Sequence, residues 1–186
     1  MFLTPGSRLN RPSARGFLFK QPEFTLPGGR LTLATATPVM TTTQSAKTTI
    51  FYSPYVGNLI PIYNGSLFIP TTFIELSTTT TDTIYNPAAI EASKVNDWYV
   101  WNSGSGLRLC HGVNWTSDTE RNTSNTLVNG IWLNTSNIAN GPAALRGTWV
   151  GTTRSNASSQ LDWIYGGLAA GGTAGWFGVW NCYNIV

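Results

Sequence analysis

Charged side chains are scarce in this sequence. Of its 186 residues, 11 are Lys or Arg and 8 are Asp or Glu, so charged residues make up 10% of the chain, against roughly 25% in ordinary soluble domains. Thr, Ser, Asn and Gly fill the difference, and they hydrogen-bond to water and to neighbours without carrying charge. This composition favours an extracellular or particle-surface structural protein over a cytosolic enzyme, and it suits a β-rich chain that packs against copies of itself.

Cysteine, histidine and long apolar runs are also scarce. The two cysteines, Cys110 and Cys182, are too few for a disulfide framework, and the single histidine, His111, has no metal-ligand spacing with them. No run of about 18 apolar residues predicts a membrane span, and the N-terminus lacks the pattern of a secretory signal. We therefore interpret both cysteines as buried small apolar residues, and we expect no metal and no membrane contact.

Catalytic motifs are missing as well. A Ser-His-Asp triad would have to use His111, and no G-x-S-x-G turn accompanies it. The sequence has no phosphate-binding or dinucleotide-binding fingerprint, and its scattered carboxylates form no motif that would pair two of them across a glycosidase cleft. We predict no catalytic residue, no cofactor and no enzymatic activity.

Strand and turn signals are what the chain has in abundance. Residues 47–69 are dense in β-branched and aromatic side chains, and the pair Asn64-Gly65 separates two apolar runs. Asn-Gly in this position predicts a type I′ turn, in which both central residues need a positive φ. We therefore predict a hairpin over residues 59–69 and a preceding strand over 48–52.

Further strands are predicted along the rest of the chain. Hairpins are expected for 96–101 with 107–111, for 126–128 with 131–133 around Asn129-Gly130, and for 147–153 with 160–165; single strands are expected at 30–37, 71–76 and 176–180. Turn signals that recur every eight to twelve residues are typical of a sandwich or barrel. The predicted fold is all-β: an antiparallel, jelly-roll-like β-sandwich over residues 30–186.

Residues 1–29 predict an extended N-terminal arm instead. Four prolines and the pair Gly28-Gly29 interrupt any regular element, and five basic residues in the first thirty are opposed only by Glu23. The arm lacks the dense basic runs of a phosphate-tracking segment, which disfavours nucleic acid as its partner. The residues that we expect to dock on a partner protein are Arg8, Arg11, Arg15, Phe17, Phe19 and Lys20.

The tryptophans are unevenly distributed, because all eight lie between residues 98 and 180. They suit either the core of a sandwich or a sugar-binding platform, and we weigh core or subunit packing above ligand binding. Trp98 and Val100 should face one side of their strand, and Tyr99 and Trp101 the other. Trp115 and Trp132, near predicted loop tips, are the candidates for stacking on a glycan.

The order of several segments resembles a recurrent module of virion proteins from tailed phages and prophages, namely tail-fibre, appendage or head-decoration proteins. These segments are GRLTL, TTIFYSPYVGNLIPIYNG, FIELS, GLRL, NWTSDTER, LVNGIWL, GTWVGTTRS and FGVWNCYN. The resemblance covers about residues 29–186 and is most specific at 52–64, 115–121, 147–153 and 180–184. Ile185 stands where the module commonly has Arg.

The resemblance implies a non-enzymatic structural component of a phage-like virion, assembled in the host cytoplasm. Its place would be in a fibre or spike, or as a capsid or tail decoration, with oligomeric β-domains and an arm docked on capsid or tail subunits. Its expected partners are other copies of itself, with a trimer the favoured state. The alternative is a carbohydrate-binding receptor-recognition module that contacts host surface polysaccharide.

Overall fold

The computed structural model describes residues 25–166 and 174–184, and every regular element in these ranges is a β-strand. This confirms the predicted all-β class. None of the described residues belongs to a helix that is long and apolar enough to cross a membrane. The strands are β1 Gly29–Thr32, β2 Gln44–Lys47, β3 Thr49–Pro54, β4 Leu59–Tyr63, β5 Phe68–Thr72, β6 Leu76–Thr79, β7 Val95–Asn102, β8 Leu107–His111, β9 Asn125–Val128, β10 Ile131–Asn134, β11 Thr148–Arg154, β12 Leu161–Ile164, β13 Trp176–Phe177 and β14 Val179–Asn181.

The described strands pair antiparallel in four sheets, and β11 is the centre of the largest one. Strand β7 runs along one edge of β11, whereas β10 and β14 share the other edge: β10 meets it at Thr148, and β14 pairs with residues 151–153. Strands β8 and β9 complete this six-stranded sheet. The smaller sheets are β1–β3–β6, β2–β12–β13 and the hairpin β4–β5.

The main core lies against one face of the six-stranded sheet. Trp98 and Val100 of β7 are fully buried there, together with Leu31 of β1 and Tyr52 of β3. The Trp98 indole nitrogen donates to Thr153 Oγ1 at 2.8 Å, so its polar group is satisfied within the core. Burial of these large side chains provides most of the driving force that joins the small sheets to the large one.

The opposite face of the same sheet holds a second apolar cluster. Tyr99 and Cys110 are buried in it, and Trp101 and Trp149 pack against them. The predicted division of Trp98 and Val100 from Tyr99 and Trp101 is therefore confirmed. It follows from the alternation of side chains along β7.

Two asparagines attach β1 to the end of the chain. Asn181 Oδ1 accepts from the Leu31 amide at 2.6 Å, and its Nδ2 donates to the Leu31 carbonyl at 3.3 Å. Asn184 Nδ2 donates to the carbonyls of Pro27 and Gly29 at 2.8 and 3.1 Å. These amides take the place of a neighbouring strand and fasten the sheet of β1 to the large sheet.

Three of the four predicted hairpins form, and in each of them a short loop joins strands that are adjacent in sequence. Hairpins β4–β5, β7–β8 and β9–β10 all pair as expected. Asn129 and Gly130 have φ values of 45° and 83°, as a type I′ turn requires. The first hairpin differs, because a four-residue loop joins Tyr63 to Phe68. Asn64 caps this loop with Oδ1, which accepts from the amides of residues 66 and 67 at 2.9 and 3.0 Å.

The fourth predicted hairpin is wrong, because β11 and β12 meet only at an isolated bridge between Ser155 and Leu161. Strand β12 instead pairs with β2 and β13. Asp162 Oδ1 accepts from the Ala46 amide at 2.7 Å and so ties β12 to β2. Its Oδ2 accepts from Asn156 Nδ2 at 2.9 Å, which stabilises the turn that carries the chain away from β11.

All three single-strand predictions also need correction. The strand expected at 30–37 ends at Thr32, because a turn follows in which the Thr37 amide donates to the Ala34 carbonyl. The segment 71–76 is not one strand: β5 ends at Thr72 and β6 begins at Leu76, because Phe73 turns into the core between them. The segment 176–180 divides at Gly178 into β13 and β14. A Cβ at Gly178 would lie 2.6 Å from the Asp162 carbonyl oxygen, so the chain crosses between sheets at a point where only glycine fits.

Candidate functional site: an aromatic cleft on the large sheet

A cleft of about 660 Å³ opens on the second face of the six-stranded sheet. We call it the aromatic cleft, and its lining residues are Val95, Trp115, Asp118, Arg121, Trp149, Thr152, Arg154, Trp176, Trp180, Asn181 and Cys182. Half of the chain's tryptophans thus line one concave surface. The volume falls within the range of about 300–1,000 Å³ that is typical of small-molecule sites.

A β-bulge in β11 gathers three of these side chains on one face. Trp149 pairs with Tyr99, and Thr152 pairs with Asp97, with one extra residue inserted in β11 between Trp149 and Gly151. Residues 149 and 152 would face opposite sides of a regular strand, but the inserted residue restores them to the same side. Arg154 follows on that side, and Trp180 lies beside Thr152 on β14.

Asp97 is the polar centre beneath the cleft. It is only 4% exposed, and its carboxylate accepts from Thr152 Oγ1 at 2.6 Å, from Trp115 Nε1 at 3.1 Å, and from Arg121 Nε and Nη2 at 2.7 and 3.3 Å. Trp115 and Arg121 belong to the long connection between β8 and β9. The buried carboxylate therefore holds this connection against the sheet and fixes the wall of the cleft.

Arg121 lies between two indole rings. Its guanidinium carbon is 4.4 Å from the ring centroid of Trp115 and 5.1 Å from that of Trp149. A planar guanidinium stacks well on aromatic faces, and here it is also paired with a carboxylate. The three side chains form a ridge, and we refer to Trp115, Arg121 and Trp149 as the ridge.

A second cavity, of about 550 Å³, adjoins the aromatic cleft and shares the three residues of the ridge with it. We call it the side cavity, and its lining residues are Trp115, Thr119, Glu120, Arg121, Ser124, Asn125, Trp132 and Trp149. Trp132 stands edge-on to Trp149, with ring centroids 6.3 Å apart. The Trp132 amide donates to Tyr183 Oη at 2.9 Å, which joins this wall to the end of the chain.

The far end of the aromatic cleft carries an accessible ion pair. Arg154 Nε donates to both carboxylate oxygens of Asp118 at 3.1 Å, and its guanidinium carbon lies 5.3 Å from the Trp176 ring centroid. An exposed pair of this kind contributes little to stability. Its donors and acceptors are instead available to a polar ligand. Together with Arg121 and the underlying Asp97, the charged groups that the structure describes at the cleft sum to zero.

The cysteines are not activated for chemistry. Burial raises the pKa of Cys182 to about 11, so the thiol that lines the cleft stays protonated at neutral pH. Burial also raises the pKa of Cys110 well above its ordinary value. Cys110 is buried as predicted, but the prediction is wrong for Cys182, which is only partly buried because it lines the cleft. Both are free thiols, and within 25–166 and 174–184 no three His, Cys, Asp or Glu side chains are grouped to hold a metal ion.

The two predicted glycan-stacking residues both lie at this site. Trp115 lines the cleft and the side cavity, and Trp132 lines the side cavity. Trp132 belongs to strand β10 and not to a loop tip, because the turn before it ends at Gly130. The predicted docking residues of the arm fall in 1–24, outside the described residues.

No family model, curated protein or solved structure matches this chain.

Sequence reasoning missed Asp97, Arg121, Trp149, Trp176 and Trp180. One signal was present, since three of the four segments most specific to the virion-module resemblance are 115–121, 147–153 and 180–184. All three contribute side chains to the aromatic cleft. Their common position on one face of the sheet, rather than any one motif, marks the site.

Proposed function

We propose that this chain is a non-enzymatic recognition domain that binds carbohydrate in the aromatic cleft. The observation that carries the proposal is the convergence of Trp115, Trp149, Trp176 and Trp180 on one concave surface that also holds charged hydrogen-bonding groups. A pyranose ring has faces of C–H groups and a rim of hydroxyls. Indole faces suit the former, and carboxylate and guanidinium groups suit the latter.

The exposure of the tryptophans supports a ligand at this surface. Trp180 is 52% exposed and Trp176 is 37% exposed. In an ordinary sheet, neighbouring strands could cover side chains of this size. Grouped exposed aromatics on one face typically mark a binding site. Trp115 and Arg121 are held in place by Asp97, so the surface is formed before the ligand arrives.

The charge of the site favours a neutral or weakly charged saccharide. The two arginines are each paired with an aspartate, Arg121 with Asp97 and Arg154 with Asp118. Among the described residues that line the aromatic cleft, no cation is left unpaired for a strongly anionic ligand. Hydroxyl groups both donate and accept, which matches these paired groups better than a phosphate would.

The proposed setting is a structural protein of a phage-like virion, and it rests on the sequence resemblance. Several apolar side chains away from the cleft are strongly exposed, among them Val56, Leu67 and Ile74 at 69%, 55% and 82%. Contacts between copies of the chain, or with capsid or tail subunits, would cover them. A jelly-roll-like sandwich behind an extended arm is part of the same proposal, supported by the core that the sheets share.

The test is binding to an array of bacterial surface glycans, followed by titration with tryptophan fluorescence. We expect Trp180→Ala to weaken binding about tenfold, a loss that corresponds to ~1.4 kcal/mol. Tyr165→Ala is the matched control, because Tyr165 is an exposed aromatic outside the cleft lining. Unchanged affinity in Trp180→Ala and Trp176→Ala, or no glycan bound by the wild type, would contradict the proposal.

A further inference from the structure

The aromatic cleft and the side cavity share the three residues of the ridge. Each cavity alone, at about 660 and 550 Å³, has the size of a small-molecule site. Each also has its own aromatic wall, formed by Trp176 and Trp180 in the cleft and by Trp132 in the side cavity. The two are therefore neighbouring compartments of one groove.

We infer that this groove binds an extended oligosaccharide in two subsites, with one sugar unit in the aromatic cleft and a following unit in the side cavity. The inference rests on the proposed function and names the ligand as a chain that crosses the ridge. A single sugar would fill one compartment and leave the other aromatic wall uncovered.

An unpartnered donor in the side cavity supports this second subsite. Asn125 lines the cavity, and its Oδ1 accepts from Tyr99 Oη at 2.7 Å. Its Nδ2 is buried and has no acceptor among the described residues. Buried polar groups in folded proteins nearly always have a partner. Because Nδ2 is closed to solvent in the unliganded chain, a saccharide hydroxyl supplies the missing acceptor only when the Asn125 side chain turns into the cavity on binding.

The ridge is suited to lie beneath the glycosidic linkage that joins the sugar in the aromatic cleft to the sugar in the side cavity. Arg121 Nε and Nη2 are turned to Asp97, and its guanidinium is stacked between Trp115 and Trp149. The side chain is one-third exposed, so part of it remains open to the groove. Because the ion pair and both rings restrain it, the ridge keeps the spacing between the subsites constant.

The experiment measures affinity against saccharide length. The probes are isomaltose, maltose and N-acetylglucosamine oligomers of one to four units, titrated into the full chain by calorimetry and tryptophan fluorescence. In the series that binds, the affinity should rise about three- to tenfold when the chain becomes long enough to reach the side cavity, as expected for one added aromatic contact.

Two variants separate the subsites. Trp132→Ala should remove the gain of the longer oligomers and leave the affinity for the shortest binding oligomer unchanged. Asn125→Asp tests the same subsite without a change in shape: it keeps the acceptor for Tyr99, replaces the Nδ2 donor with an oxygen and adds a negative charge to the wall of the side cavity. It should lower the affinity of the longer oligomers alone, and it keeps the test valid if Trp132→Ala does not fold.

The outcomes distinguish the two-subsite inference from the proposed glycan recognition. Binding that does not strengthen with length, or equal losses for short and long oligomers in both variants, overturns the two-subsite inference while glycan recognition stands. No binding of any probe, together with a negative glycan array, overturns the proposed function and the inference with it.

Discussion

Replacement of Asp97 by Asn is the sharpest test of how the site is built. The substitution keeps the shape of the side chain but converts one oxygen into a donor. Oδ1 accepts from Thr152 and Arg121, and Oδ2 accepts from Arg121 and Trp115. Whichever oxygen is replaced, two donors lose their acceptor and Arg121 loses its counter-charge. We therefore expect Asp97→Asn to destabilise the fold and to loosen the ridge together.

The size of the effect follows from burial. Each hydrogen bond to a charged group contributes ~1.5–3 kcal/mol, but contacts to one carboxylate are not additive. Breaking a buried ion pair costs roughly 3–5 kcal/mol. Arg121 is 33% exposed against 5% for Asp97, so the freed guanidinium regains part of its hydration. We expect a loss of about 3 kcal/mol, which lowers Tm by roughly 6–12 °C in a chain of this length.

The assay is urea unfolding followed by tryptophan fluorescence, arranged as a double-mutant cycle with Arg121→Gln. The expected coupling between the two positions is ~1.5–3 kcal/mol. Asp118→Asn is the control, because it breaks the exposed pair with Arg154 and should cost less than about 1 kcal/mol. If Asp97→Asn lies within ~0.5 kcal/mol of wild type, or if the two losses simply add, Asp97 does not hold the connection to the sheet.

Two further predictions concern the fold around the site. Burial holds the pKa of His111 below its ordinary value of 6.5, against the opposing contacts of its ring nitrogens with the carbonyl oxygens of Gly112 and Ala88. The unfolded chain therefore takes up a proton more readily than the folded chain, so the urea midpoint should fall as pH drops below 6.5. His111→Gln should remove this pH dependence. A wild-type midpoint that does not change over this range would contradict a lowered pKa of His111. Gly151→Ala should lower the free energy of unfolding by about 1–3 kcal/mol and weaken glycan binding, because a Cβ there would lie 2.1 Å from the Trp180 carbonyl oxygen and displace β14. Gly57→Ala is the control: a Cβ there meets nothing within 4 Å, so stability and binding should not change. Equal effects of the two substitutions would refute the reasoning.

Local signals in the sequence predicted local structure. The Asn-Gly pair at 129–130 has the positive φ values that the turn chemistry requires, and the alternation along β7 divided the aromatic residues between the two faces as expected. At Asn64-Gly65 the predicted hairpin is confirmed but the predicted type I′ turn is wrong, because the Asn64 side chain caps a longer loop. In each case the information lies within a few residues.

Strand partners distant in sequence were not predictable in the same way. Strand β12 follows β11 closely but pairs with β2, because Asp162 bonds to an amide 116 residues earlier. Likewise, the amide of Asn181 takes the place of a strand beside Leu31 across 150 residues. The alternation of apolar and polar residues along a strand shows only which side chains share a face. It therefore does not indicate which distant strand either segment contacts.

The candidate site was hidden for a related reason. In β11, the spacing of Trp149 and Thr152 predicts opposite faces, and only the bulge brings them together. Asp97, which anchors the ridge, has no motif around it in sequence; its role appears when Trp115, Arg121 and Thr152 all direct donors to it. Sequence reasoning found Trp115 and Trp132 as separate residues but not the groove that joins them.

The architecture of the groove couples the proposed recognition to completion of the fold. Trp180 reaches the cleft only when β14 pairs with β11, and β14 is in turn fastened to β1 through Asn181. The side cavity depends on the same segment, because Tyr183 accepts the amide hydrogen of Trp132. The turn of each hairpin is held by local contacts, but neither wall of the groove is complete until residues 179–184 close across both sheets. A groove closed by these long-range contacts exists only in the fully folded domain.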